Sequence, residues 1–301
     1  MGNGVSTMPG LAMDTERNRR RPSSSEEIRQ FHFTAADFAR VRDLIYGAAG
    51  ISLSPAKQDL VYSRLARRLR ARQLTSFNDY LAILEAGDAA EWEAFINALT
   101  TNLTSFFRES HHFPVLAEQL RKQAGRRQLN VWSCAASTGE EPYSIAITAA
   151  EQFGTLSPPV RILATDIDTA VLERARQGVY RLDQVHKIPP PQLKRYFMRG
   201  TGANAGLVKV RPELQKLITF HQFNLLEPAW NLKERFEAIF CRNVMIYFDK
   251  RTQYEILRKF RPVLQPGGLF FAGHSESFHH ATDLFRLCGK TIYAPVGGRE
   301  A

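Results

Sequence analysis

The chain has 301 residues, 44% of them hydrophobic and 23% charged, with a formal charge of +10. No apolar run approaches the ~20 residues that a membrane-spanning helix needs, which excludes membrane insertion by that route. Three cysteines (Cys134, Cys241 and Cys288) without CxxC spacing exclude a disulfide framework and a zinc ribbon. The positive balance points to an acidic partner, whether nucleic acid, a membrane surface or a protein. In chain order, residues 1–30 carry Arg19-Arg20-Arg21-Pro22 and Ser23-Ser24-Ser25 and no sustained apolar pattern. They lack the apolar core of a signal peptide and read as a disordered cytoplasmic tail.

Residues 31–100 show helical apolar spacing, broken at Gly50, Pro55 and Gly87. Leu53-Ser54-Pro55 predicts a helix start with a serine cap and a proline at the first position. Val61, Leu65 and Leu69 form its core stripe. On the same helix Lys57, Arg64 and Arg68 fall within about 40° of one another at 3.6 residues per turn, with Arg67, Arg70 and Arg72 extending the surface. From Lys57 to Arg72 there are six basic residues and one acidic, whereas Asp79 to Glu93 has five acidic and none basic. This polarisation makes Lys57, Arg64, Arg67 and Arg68 candidate contacts to a partner, against the plain alternative of a solvated helix face.

A linker over 101–124 leads to residues 125–301, where strand and helix patterns alternate. Leu129–Tyr143 reads as a buried strand through Val131 and Trp132, a loop of small residues from Ala135 to Gly139, and a helix starting on Glu140 and Glu141. Val160–Asp166 is a strand ending in an acid, followed by a helix over Thr169–Gln177. About 187–216, with seven basic residues and one acidic, reads as an inserted hairpin. There Pro189-Pro190-Pro191 ends the helical pattern, and Arg195–Met198 and Leu207–Val210 are its strands. Leu217–Phe223, Phe236–Cys241 and Leu269–Ala272 complete the strand set, with a helix over Thr252–Val263. Such alternation predicts an α/β doubly wound sheet. Glu140, Asp166, Asn224 and Asn243 then follow four strand carboxyl ends, the edge where these folds bind ligands.

The charge of the first loop selects the ligand. A helix N-terminus attracts phosphate, and Glu140 and Glu141 would repel a pyrophosphate there. They suit S-adenosylmethionine, which carries a sulfonium, an ammonium and a ribose; an acidic first turn complementing the helix dipole is the plainer alternative. Asp166 is placed to accept hydrogen bonds from ribose hydroxyls. The adjacent histidines His111-His112 and His279-His280 are expected to diverge, so no metal is expected. The missing G-x-G-x-x-G disfavours a nicotinamide dehydrogenase. The missing Asp/Asn-Pro-Pro-aromatic and Pro-Cys sequences disfavour a nucleic-acid methyltransferase.

The strings Thr101-Asn102-Leu103-Thr104-Ser105-Phe106-Phe107-Arg108-Glu109, Ala136–Ser144, Thr165-Asp166-Ile167-Asp168, Tyr196–Gly200 and Cys241-Arg242-Asn243-Val244-Met245-Ile246-Tyr247-Phe248 resemble the CheR family of bacterial chemotaxis receptor methyltransferases. The resemblance runs from Phe31 to about Tyr293. It implies a class I methyltransferase domain, preceded by an all-α receptor-recognition domain and carrying a small antiparallel β subdomain. It implies methyl transfer from S-adenosylmethionine to receptor glutamates, in the cytoplasm and by a monomer. It also implies that Asn102, Thr104, Arg108, Glu140, Asp166, Asn224, Leu225, Arg242 and Asn243 hold the cofactor, with Arg108 and Tyr247 near the transferred methyl. The receptor's methylation helices would meet the basic helix. In some members the β subdomain takes a receptor C-terminal peptide. An inert adaptor that kept the fold is disfavoured, since the motif positions hold the family's residues.

Overall fold

The computed structural model describes residues 1–2, 29–125 and 128–297; the expected tail and Arg126-Arg127 lie outside the described residues. Four helices come first: α1 (Ala35–Ala49), α2 (Gln58–Ala71), α3 (Phe77–Glu85) and α4 (Ala89–Leu99). Thr34 and Asp37 close a reciprocal capping box on α1, and Gly50, at φ 67°, ends it. Val61, Leu65 and Leu69 of α2 are fully buried against Val41, Ile45, Tyr80 and Phe95, as their spacing predicts. The start of this helix differs from the expectation. Pro55–Lys57 form a 3₁₀ turn, α2 begins at Gln58, and the Ser54 hydroxyl makes no cap bond.

Then follow α5 (His112–Lys122), β1 (Leu129–Ser133), α6 (Glu140–Phe153), β2 (Val160–Asp166) and α7 (Thr169–Gln177). Next come β3 (Val179–Arg181), α8 (Pro190–Tyr196), β4 (Phe197–Arg199), β5 (Leu207–Val210), α9 (Pro212–Gln215) and β6 (Ile218–Gln222). The chain continues through β7 (Phe236–Cys241), α10 (Lys250–Val263), β8 (Leu264–Ala272), β9 (Phe285–Gly289) and β10 (Ile292–Pro295). The large sheet runs β6-β2-β1-β7-β8-β10-β9, parallel except for β10, which is antiparallel to both its neighbours. Chain order reverses between β1 and β7, so the ligand crevice is expected at the carboxyl ends of those two strands.

The inserted hairpin needs correcting. The small sheet has three strands, ordered β3-β5-β4, and begins at Val179, ahead of 187. Pro190 occupies the first turn of α8, where a missing N–H costs nothing, so the triproline starts a helix rather than ending one. Arg195 and Tyr196 belong to that helix, and the strand begins only at Phe197. Among the described residues no helix is long and apolar enough to cross a membrane.

Candidate active site

A cleft of about 970 Å³, counting its open mouth, lies at the predicted sheet edge. Its walls come from the end of α1 (Ala49, Ile51), from the linker (Thr100–Thr104, Arg108), and from the carboxyl ends of β1, β2, β6 and β7.

The β1–α6 loop must turn within six residues. Ser137 (φ 49°) and Gly139 (φ 99°) take left-handed backbone, and a Cβ on Gly139 would stand 2.7 Å from the Tyr180 hydroxyl oxygen. The two glutamates after it face different ways. Glu141 lines the cleft; its carboxylate accepts from Ser133 Oγ at 2.8 Å and from Arg242 Nη1 at 3.0 Å. Glu140, the residue expected to bind cofactor, is not part of the cleft wall; it is buried, and it accepts from Thr138 Oγ1 at 2.7 Å. Neighbours on a helix point 100° apart, and the cleft lies on the Glu141 side. Burial raises the pKa of both carboxyls.

Asp166 closes β2. Its two oxygens accept from the backbone N–H groups of Ser137 (2.8 Å) and Asp168 (3.0 Å), and burial pushes its pKa up to about 6. Each oxygen keeps acceptor capacity for a ligand hydroxyl. Asp168 caps α7 and also accepts from Thr100 Oγ1 and Asn102 Nδ2, both at 2.8 Å. Ser137 Oγ in turn donates to the Asn102 carbonyl at 3.1 Å. Asn102 thus lines the cleft while its amide pins the linker across the β1 and β2 ends. Thr104 lines the same wall, and Arg108 donates through Nη1 to the Leu103 carbonyl at 2.9 Å.

Arg242, whose side chain is only 2% exposed, is a hub. It bonds Glu141 at 3.0 Å, the Arg108 carbonyl at 2.5 Å through Nη2, and lies 3.5 Å from Glu109. Two carboxylates compensate its burial, while its Nε has no hydrogen-bond partner. Asn243, at φ 59°, donates its N–H to Glu276 at 3.0 Å. The buried Glu276 also accepts from the N–H of Met245 (2.8 Å) and of Gly273. A Cβ on Gly273 would stand 2.4 Å from Asn243 Nδ2 and 2.9 Å from its backbone nitrogen, so the residue after β8 must be a glycine. Asn224 donates to the Ala48 carbonyl (2.9 Å) and accepts from Leu226 N (3.0 Å); Leu225 and Tyr247 complete the wall.

Glu109 and Glu276 escaped the reading of the sequence. The strand-end rule applied to β8 would have led to Glu276, four residues beyond Ala272; Glu109 ends the Thr101–Glu109 string, but nothing local marks it as the partner of Arg242.

The structure disperses the basic cluster. Arg64 Nη1 caps the carboxyl end of α4 through the carbonyls of Leu99 (2.9 Å) and Thr100 (2.6 Å). Arg68 forms a two-pronged pair with Glu91, itself 1% exposed. Both are structural, which leaves Lys57 and Arg67 as the solvent-exposed members of the set. The histidines also differ from expectation. The rings of His111 and His112 lie 4.2 Å apart rather than diverging, and burial lowers the His112 pKa to about 4. With Glu109 they bring three potential metal-ligand atoms within 4.8 Å of one another, beside a guanidinium that already neutralises the carboxylate.

The cleft therefore combines two carboxylates, two guanidinium groups and apolar walls (Ile51, Leu99, Phe223, Leu225, Phe248), with an unpaired Arg242 Nε. That donor set fits a ligand carrying charges of both signs, a ribose and a flat base. Fold and site define an S-adenosylmethionine-dependent methyltransferase. More particularly, the chain belongs to the CheR methyltransferase family: residues 36–100 match its all-alpha domain and 102–294 its SAM binding domain. It is 58% identical to the chemotaxis protein methyltransferase of Salmonella typhimurium, over 86% of this chain and 90% of that one. It is 55% identical to chemotaxis protein methyltransferase 2 of Pseudomonas aeruginosa, over 91% and 98%. The glycopeptide N-methyltransferase MtfA, solved with S-adenosylmethionine, covers 52% of this chain and 51% of its own, at 17% identity and a TM-score of 0.30, too remote to bear on substrate.

Proposed function

We propose that the protein transfers methyl groups from S-adenosylmethionine to glutamate side chains on the cytoplasmic helices of chemoreceptors, forming methyl esters for sensory adaptation. The observation that carries this reading is the presence of both Arg108 and Tyr247 on the cleft wall. A cation and a neutral hydroxyl suit a carboxylate acceptor. Relatives named as chemotaxis methyltransferases support the pathway.

When bound, S-adenosylmethionine supplies an electrophilic methyl group on a cationic sulfur. The acceptor is ionised at neutral pH, with a reference pKa of ~4.3, so it is the nucleophile as it stands and needs no base. The chain's task is alignment, with reacting atoms ~3–3.5 Å apart, worth up to ~7–11 kcal/mol. Arg108 spends one donor on the Leu103 carbonyl and keeps others for a carboxylate. Asp166 and Glu141 hold the cofactor's hydroxyl and cationic ends. Tyr247 orients the reacting centre. Because the opposite charges of acceptor and sulfonium vanish in the reaction, an over-polar site would favour reactants, and the apolar walls serve the transition state. Of the four candidate contacts, Lys57 in the turn before α2 and Arg67 on α2 remain as cations for the receptor.

Incubation with methyl-labelled S-adenosylmethionine and a receptor cytoplasmic fragment tests this. Base-labile label that disappears when the candidate glutamates become alanine is expected; base-stable label would refute it. Arg108→Ala and Tyr247→Phe should each slow single turnover at saturating cofactor, and unchanged rates for both would remove them from the chemistry.

A further inference from the structure

Three exposed large apolar side chains line the cleft or lie near its lining residues in the chain. Leu103, 79% exposed, is itself part of the cleft wall, in the linker between Asn102 and Thr104. Ile246, 48% exposed, sits between the cleft residues Val244 and Tyr247. Tyr46, 44% exposed, is tied through its hydroxyl to Asp249, two residues beyond Tyr247.

Their backbones are fixed rather than loose. The Leu103 carbonyl is held by Arg108, and the segment that leads to Ile246 is held by the buried Glu276 carboxylate, which accepts the N–H groups of Asn243 and Met245. Apolar side chains held by a fixed backbone beside a cleft are surface that a ligand entering the cleft can bury. An acceptor must enter the cleft that Leu103 lines and Ile246 adjoins, and the occupant argued for is therefore the acceptor-bearing segment itself.

We propose that Leu103 and Ile246 are the rim on which that segment seats, packing against apolar residues one helical turn to either side of the acceptor glutamate. The proposal rests on the glutamate reading above and adds the local chemistry of the substrate: a carboxylate flanked at i±3 or i±4 by apolar side chains. The rim then has two effects. It places the acceptor at the mouth beside Arg108, and it removes water from a carboxylate whose charge must be lost in the transition state.

The test uses the full chain, a receptor cytoplasmic fragment and labelled cofactor. Ile246→Ser is expected to raise the KM for the fragment about tenfold, with Ile246→Leu restoring it. Isothermal titration with S-adenosylhomocysteine confirms that the variant is folded. Leu103→Ser should act in the same direction, and the pair together more strongly. Replacing the receptor's apolar residues one turn from the acceptor by serine should raise the wild-type KM similarly and abolish the further effect of Ile246→Ser. Base-labile transfer with KM values within twofold of wild type in both variants would overturn the rim alone. Absent or base-stable label with the wild-type chain would overturn the glutamate reading and the rim with it.

Discussion

Replacing Arg68 by alanine separates two roles that a basic helix can have. Glu91 is 1% exposed and receives Arg68 Nε at 2.9 Å, Arg68 Nη2 at 2.7 Å and the Tyr80 hydroxyl at 2.9 Å; Arg72 Nε stands 3.8 Å away. Deleting one partner of a buried pair costs ~3–5 kcal/mol because the other charge is stranded. Arg68 is itself 28% exposed, and Arg72 and Tyr80 remain beside Glu91, so the lower end, about 3 kcal/mol, is expected. At ~2–4 °C per kcal/mol for a large domain, the melting temperature should fall by about 6–12 °C. Urea unfolding of the full chain measures the loss directly. Arg68→Met with Glu91→Leu removes both charges and should recover most of it. Arg67→Ala, on an exposed position, should cost less than ~0.5 kcal/mol of stability and register in the KM for receptor. If Arg68→Ala kept full stability but bound receptor weakly, the ion pair would be incidental and Arg68 would return to the docking surface.

Three further outcomes follow from the site. Asp166 has a carboxyl raised by burial to about 6, so its contribution to the stability of the unliganded protein is present below pH ~4 and lost as pH rises through about 6. Cofactor hydroxyls need the ionised form, so affinity measured by calorimetry should fall up to about tenfold per unit below pH 6, with proton release on binding, and a flat profile would refute the assignment. Arg242→Ala strands Glu109 and Glu141 and frees the Arg108 carbonyl; a loss of ~3–5 kcal/mol in unfolding experiments is expected, and retention of both stability and cofactor affinity would contradict the hub. Cys288 is exposed and should alkylate at once, while Cys134 and Cys241 have pKa values raised by burial and should lag. Cys134 also lines the cleft, so S-adenosylhomocysteine should slow it further, read by peptide mass; equal rates at Cys134 and Cys288 would refute the buried placement.

What could be read from the sequence was local. The β1–α6 turn announces itself because small residues, a strand and a helix start lie within fifteen positions, and Asp166 and Asn243 follow from strand ends. The α2 core stripe follows from periodicity. What could not be read depended on distant partners. A helical wheel puts Arg64 and Arg68 on one face but does not show that the α4 carbonyl end and Glu91, 23 or more residues later, already occupy them. Choosing Glu141 over Glu140 required Arg242, 101 residues away. Pro190 was ambiguous because the same ring that ends one helix can begin another, and only the packing of α8 decides.

The same long-range contacts make the helical domain part of the catalytic cleft. Asn224 bonds the Ala48 carbonyl at 2.9 Å, Ser52 N–H bonds the Tyr247 carbonyl at 2.9 Å, and Ala49 and Ile51 stand in the cleft wall. Arg64 ties α2 to Thr100, whose hydroxyl reaches Asp168 and so joins the network that pins Asn102. A partner docking on Arg67, as proposed above, would therefore load a helix anchored directly to the linker that lines the cleft. The hydrogen bonds of α2 are thus continuous with those of the cleft wall, and a substitution in α2 must be tested for cofactor affinity before it is assigned to receptor binding.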